Sequence, residues 1–326
     1  MTTRRKVLIA LGAGALAAPL GGLAQARARM WRIGFLAPGS PSTRIYEGFR
    51  EGMRELGYVE GRGFTIDWRF ADGDYGRLPR LAAELVLAKP DVIVAGTTQG
   101  VQAARAATTR IPIVMVEVPD PIGEGFATSL PRPGKNITGL SDIVTELSVK
   151  HLELLRSSVP KLSVLAVLIN PLNASDTLIL EQINGAAYST GVKVVTVEAS
   201  TATQIDAGFA AVARARADGM IVAADTYFDL RRRQVARLAI QNRLPLISAD
   251  RDLTEAGGLM SYGQDLLEHY RDAASYVDKI VQGAKPGELP IEQPTVIELV
   301  INRRTALALG LALPQELLLR ANTVLG

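Results

Sequence analysis

The chain has 326 residues, 48% of them hydrophobic, enough to build two lobes of ordinary domain size around sizeable cores. It contains no cysteine, which excludes a disulfide framework, a thiolate metal site and a lipid-bearing cysteine. The formal charge of +3 includes Arg4, Arg5, Lys6 and Arg27, so the remainder is close to neutral and offers no basic field of the size nucleic acid requires.

Residues 1–28 read as an export signal. A basic start at Arg4, Arg5 and Lys6 precedes an uncharged run over 7–23, and Ala24-Gln25-Ala26 and Ala26-Arg27-Ala28 are both small-x-small cleavage sites. Arg4-Arg5 also fits a twin-arginine signal, so export to the periplasm by either route is expected. The alternative, a membrane anchor, is marginal: the run holds four glycines and a proline, and must span a hydrocarbon core of ~30 Å. Gly12, Gly14 and Ala17 mimic a dinucleotide fingerprint, but the acidic residue that should hold the ribose about 20 positions on is missing.

Beyond the leader, short apolar runs alternate with segments of helical period, the pattern of a parallel sheet covered by helices. Strands are expected at 32–36, 64–70, 92–95, 113–118, 164–169, 192–197, 220–223, 246–248 and 259–261. Helices are expected at 43–56, 77–88, 99–108, 146–157, 175–189, 202–216, 230–242 and 266–282, several ending in a glycine suited to a left-handed cap.

A weak internal repeat organises these elements. The stretch 91–97 (DVIVAGT) resembles 218–226 (DGMIVAADT), and 110–114 (RIPIV) returns 133 residues later as 243–247 (RLPLI). Pro38 and Pro171 keep the same offset, and Gly57 and Gly191 miss it by one. The expected fold class is therefore α/β: two similar doubly wound lobes, each a parallel sheet flanked by helices, joined by a multi-strand hinge. An irregular crossover is expected near 134–141 (GKNITGLS). Residues 29–140 with about 258–290 would form the first lobe, and 141–257 with about 291–326 the second.

In open parallel sheets ligands bind beyond the C-terminal strand ends. The loops there offer Ser40, Thr43, Thr97, Thr98 and Asp120 in the first lobe, and Asn170, Asn173, Ser175, Asp225, Tyr227, Asp250 and Tyr262 in the second. Hydroxyls and free amides at helix starts suit a carboxylate, and Asp120, Asp225 or Asp250 suits an ammonium, so a zwitterionic or acidic solute with its body against Tyr227 or Tyr262 is expected. Each residue also has a plainer role open to it: Thr43 and Ser175 as helix caps, Asp120 as a turn former.

No catalytic, metal or cofactor site is expected. His151 and His269 read as surface residues of amphipathic helices without acidic or nucleophilic partners. Ser261 resembles a nucleophile elbow, but Leu259 stands where that motif needs glycine. Arg231, Arg232 and Arg233 read as a solvated helix face.

Several segments together resemble one family. These are 34–40 (GFLAPGS), 56–61 (LGYVEG), 71–75 (ADGDY) with Leu78-Pro79, and 257–263 (GGLMSYG). The C-terminal part adds Lys285-Pro286, Leu289-Pro290, 293–295 (QPT), 299–302 (LVIN), Thr305-Ala306 and Leu309-Gly310. The chain is similar to the bacterial ABC transporter substrate-binding proteins of the tryptophan and tyrosine transport type. The resemblance implies a type I periplasmic-binding-protein fold, capture of an amino acid or similar small solute for an ABC permease, and no catalysis. It implies contacts at Ser40, Thr97-Thr98, Asp120, 170–173, Asp225 and Asp250. The expected partners are a small-molecule solute and the permease, with no nucleic acid, membrane contact only through the transporter, and a monomeric chain. A regulatory sensor of the same fold is the alternative, though no helix-turn-helix precedes Trp31; a nucleotide-dependent enzyme is a more distant one.

Overall fold

The structure is a computed structural model that describes residues 30–326; the expected export signal lies outside the described residues. The first unit runs β1 (Trp31–Ala37), α1 (Ile45–Glu55), β2 (Phe64–Phe70), α2 (Leu78–Leu87), β3 (Val92–Gly96), α3 (Thr97–Ala107), β4 (Ile113–Val118) and β5 (Ile137–Ser141). Its five strands pair in the order β2-β1-β3-β4-β5, all parallel. Parallel neighbours need helical crossovers, and these cover both faces of the sheet. Alternate residues of each strand therefore go to opposite cores. Leu36, Ile93 and Ile113 pack with Leu81, Leu85 and Val101 of α2 and α3. Phe35, Val94 and Val114 pack toward the α1 face, against Phe49, Tyr270 and Val277.

The second unit continues with α4 (Val144–Ser158), β6 (Val164–Ile169), α5 (Asp176–Ser189), β7 (Lys193–Glu198), α6 (Ala202–Ala215), β8 (Gly219–Val222), α7 (Thr226–Leu230), α8 (Arg232–Gln241), β9 (Leu246–Ser248), α9 (Arg251–Glu255) and β10 (Met260–Gln264). Then come α10 (Leu266–Val281), β11 (Ile297–Asn302), α11 (Arg303–Leu309), α12 (Gln315–Arg320) and β12 (Thr323–Leu325). The second sheet has seven strands in the order β12-β11-β10-β9-β8-β6-β7. All its pairs are parallel except β10 with β11.

Three differences from the sequence reading bear on the site. The stretch 134–141 is no plain crossover, because 137–141 forms the edge strand β5. Its signal is weak because Gly139 sits at φ +129°, where an added Cβ would lie 2.3 Å from the Met115 carbonyl oxygen. The return to the first lobe comes after Gln264 rather than near residue 258, since β10 adds to the second sheet beside β9. The expected helix at 230–242 is α8, and a short helix absent from the sequence reading, α7, precedes it and meets it at Arg231.

Helix α10 then crosses back and packs Tyr270, Ala273, Ala274 and Val277 into the core of the first lobe, with α1 alongside. The backbones touch because Gly48 faces Leu267: a Cβ there would stand 2.0 Å from the Leu267 carbonyl oxygen. The chain thus passes between lobes at 141–144, at 264–266 and again at 292–297.

Both histidines depart from the surface reading. His151 and His269 are 4% and 5% exposed. His151 Nε2 donates to the Tyr262 carbonyl at 2.6 Å, which satisfies a ring the amphipathic pattern would leave in solvent. Burial holds both imidazoles down at about 4, chiefly neutral near pH 7. The Arg231–Arg233 run matches expectation, with Arg231 and Arg233 exposed above buried Val235, Ala236 and Ala239.

Candidate functional site

Between the lobes the strand C-termini of both sheets converge on one cavity of about 60 Å³. The first sheet brings Thr97 from the end of β3, Glu117 from β4 and Asp142 from just beyond β5. The second brings Asn173 and Ser175 after β6, Ala224 to Thr226 after β8, Ala249 and Asp250 after β9, and Gln264 at the end of β10. Tyr75 and Asp229 complete the polar lining, and Val144 and Leu266, each the first residue of a helix that follows a crossing, supply apolar wall.

Direct bonds join the lobes around this space. The Tyr75 hydroxyl donates to Asp225 Oδ2 at 2.8 Å. Gln99 Nε2 donates to Asn173 Oδ1 at 3.0 Å, and the Thr98 and Ser175 hydroxyls stand 3.5 Å apart. Gly73 lies against Tyr227 and Leu230 of the opposite lobe. These contacts define a closed arrangement.

Asp225 is the knot of the closure. It is 4% exposed and accepts from the Tyr75 hydroxyl, from Asn170 Nδ2, from Asn173 Nδ2 and from the backbone N–H groups of Tyr227 and Phe228. Burial raises its pKa and these donors pull the other way. Asp176 Oδ2 accepts from the Asn170 N–H; burial first and Asp225 second push this carboxyl up to about 8.

The acidic end of the cavity is built differently. Glu117 has φ +61°, rare for a residue with a side chain, at a point where β4 holds one more residue than β5 between paired positions. The bulge leaves Glu117 Oε1 buried without a hydrogen-bond partner, and burial pushes the carboxyl up to about 7. Asp142, 4% exposed, accepts from the Val144 N–H through Oδ1. It too is pushed up to about 7, by burial first and by Glu117 and Glu146 after it. Asp229 and Asp250 titrate together, Asp229 held well above the usual carboxylate range by burial and then by Asp250. Among the described residues, no lysine, arginine or histidine lines the cavity.

The sequence-derived residues divide by place. Thr97, Asn173, Asp225 and Asp250 line the cavity together with Ser175. Thr98 and Asn170 are buried behind it, and Thr43 lines an adjoining pocket with Arg44, Glu117 and Arg232. Ser40 bonds Ser42 and Thr43 in its own turn, and exposed Asp120 accepts from the Gly123 N–H at 2.7 Å, a turn-forming contact. Tyr227 packs against Gly73 with Arg231 over its ring, and Tyr262 packs on the second core beside His151. Sequence reasoning missed Tyr75, Glu117, Asp142, Asp229 and Gln264. Glu117 did leave a signal: it is the one charged residue in the apolar run of β4.

A two-lobed α/β protein closed over a polar cavity at its strand C-termini is built to hold a small solute. The model of the family "ABC transporter substrate binding protein" matches residues 38–325, and the chain belongs to that family. Membership implies a small-molecule ligand and a transporter as partner. A tyrosine-binding protein of Clostridioides difficile is 28% identical over 266 residues, 81% of this chain and 76% of that protein. A domain from Streptococcus pneumonia in complex with L-Trp superposes with a TM-score of 0.84 at 25% identity, over 91% of this chain and all of that one. The ligand-free, open structure of a substrate-binding protein with adhesive properties from Clostridium difficile reaches 0.65, also at 25% identity, over 91% of this chain and 99% of that one. Of these two, the structure described as open is the less similar to the closed arrangement seen here.

Proposed function

We propose that this protein is the exported capture component of an ABC importer and that it takes an amino-acid-type solute between its lobes. The observation that carries the reading is the closed cavity itself, lined by strand ends of both sheets and bridged by the Tyr75–Asp225 bond. A solute touching both arcs favours the closed state by the contacts it gains there, and closure is what a permease can sense. The ammonium of the solute meets the carboxyls at the ends of β4 and β5. Its carboxylate meets Thr97, Asn173 and Ser175, where the free N–H groups of α3 and α5 begin. The named ligands of two relatives, tyrosine and L-Trp, support the amino-acid class. The reading needs no cofactor and no catalytic group; export rests on the 1–28 leader, and the protein works as a monomer.

Thermal unfolding of the purified protein against a panel of amino acids, organic acids and sugars tests it. A solute that binds only the native state stabilises it by about 2.7 kcal/mol at a hundredfold excess over Kd. A selective shift from an amino acid is expected. Shifts from sugars alone overturn the solute class, and no shift from any compound overturns the reading.

A further inference from the structure

The acidic end of the cavity says more about the solute, on the reading that this cavity is where the solute binds. Four carboxyls from four separate segments gather there: Glu117 at the end of β4, Asp142 after β5, Asp229 in α7 and Asp250 before α9. They are not a solvated surface patch, because buried polar atoms among and beside them lack partners among the described residues. Glu117 Oε1 and both amide atoms of Gln264 are enclosed without a hydrogen bond, and both residues line the cavity. Asp142, itself 4% exposed, uses Oδ1 on the Val144 N–H and has no hydrogen bond to its second oxygen. Asp225 makes the contrast, since protein donors satisfy its carboxylate and it asks nothing of a ligand.

Charge counting follows from the geometry. Asp229 and Asp250 press together and can share one proton, leaving a single negative charge between them. Glu117 and Asp142, raised to about 7 by burial, can each add one when a cation lies beside them. Arg44 and Arg232 line the adjoining pocket, which shares Glu117, Asp229 and Asp250 with the cavity, and Arg232 pairs with Asp252 at 3.8 Å and also attracts Asp250. A lone ammonium engages only part of this carboxyl set; two cationic nitrogens, one toward Glu117 and Asp142 and one toward the Asp229–Asp250 pair, engage all of it. The volume keeps the solute small, since about 60 Å³ holds roughly four to six water positions.

We propose that the solute is dibasic: a small amino acid or amine with two protonated nitrogens, held by Glu117, Asp142 and the Asp229–Asp250 pair. L-Lysine and L-norleucine differ at the side-chain terminus, an ammonium against a methyl group, and titration calorimetry of the purified protein with each isolates the second charge. L-Ornithine and putrescine extend the dibasic set, and L-leucine, L-tyrosine and L-tryptophan the neutral one. We expect the best dibasic compound to bind at least tenfold tighter than any neutral one. We also expect the double variant Glu117→Gln, Asp142→Asn, with a retained cooperative melt, to lose at least tenfold for that compound and little for norleucine. Neutral amino acids binding as tightly as lysine overturn the dibasic assignment and leave the amino-acid reading standing. Putrescine binding with no amino acid binding keeps the dibasic assignment and overturns the amino-acid reading. No binding by any of them overturns both.

Discussion

Replacing Tyr75 by phenylalanine deletes the hydroxyl that ties the first lobe to Asp225 and leaves the ring, which is largely buried, in place. The bond is 2.8 Å long and ends on a carboxyl that is 4% exposed, so water cannot readily replace it in the closed form. An open form that parts the lobes and wets both groups would lose nothing by the substitution. The whole effect therefore falls on closure. A hydrogen bond to a charged group contributes about 1.5–3 kcal/mol, but Asp225 keeps its other four donors, which favours the lower half of that range. At about 1.4 kcal/mol per decade, closure weakens roughly tenfold or somewhat more, and apparent affinity falls in proportion because the solute needs the closed state. Calorimetry gives the affinity, and small-angle scattering of the ligand-free protein gives the lobe separation. Affinity within twofold of the parent together with unchanged scattering would refute the role assigned to this bond.

Gly48→Ala places a Cβ 2.0 Å from the Leu267 carbonyl oxygen, so α1 and α10 must move apart; a loss of about 1–3 kcal/mol or more is expected in urea denaturation. His151, held at about 4 against an ordinary 6.5, takes up its proton in the unfolded chain first, so stability falls as pH drops from about 6.5 toward about 4. His151→Gln can keep a donor for the Tyr262 carbonyl and should shallow that acid limb by up to about 3 kcal/mol, read as melting temperature against pH. Asp142 has the opposite sign: its carboxyl is raised to about 7, so the stability it contributes is present at low pH and lost as pH rises through about 7. Asp142→Asn should therefore melt progressively higher than the ligand-free parent between pH 5 and pH 8, and an advantage that does not change with pH would contradict the buried charge.

Much of the fold was legible because its signals are local. Apolar runs such as 164–169 and the amphipathic period of α1 or α10 carry their own information, and the 133-residue repeat disclosed two units before any contact was known. The elements that went unread are those fixed by partners distant in sequence. β5 is five residues long and holds a glycine pressed on Met115, and β11 forms only against β10 and β12. The site divides the same way. Thr97, Asn173, Asp225 and Asp250 lie in loops a strand-end rule can find, whereas Glu117 is aimed by a bulge and Asp142 sits in a crossing. Tyr75 is 150 residues from the carboxylate it meets.

The path of α10 bears on how such a chain is assembled. The face of the first sheet that carries Phe35, Val94 and Val114 is covered partly by residues 266–281, which follow residues 144–264 of the second lobe in the chain. The second sheet receives its edge strand at 323–325, after every other described strand in chain order. A chain emerging from its N-terminus therefore carries an unfinished first lobe through most of its synthesis. Cutting at the apparent boundary near residue 142 would yield two fragments, each with an uncovered apolar surface, rather than two domains. The lobes proposed to move as separate bodies in solute capture are, in folding, a single object whose two cores exchange segments.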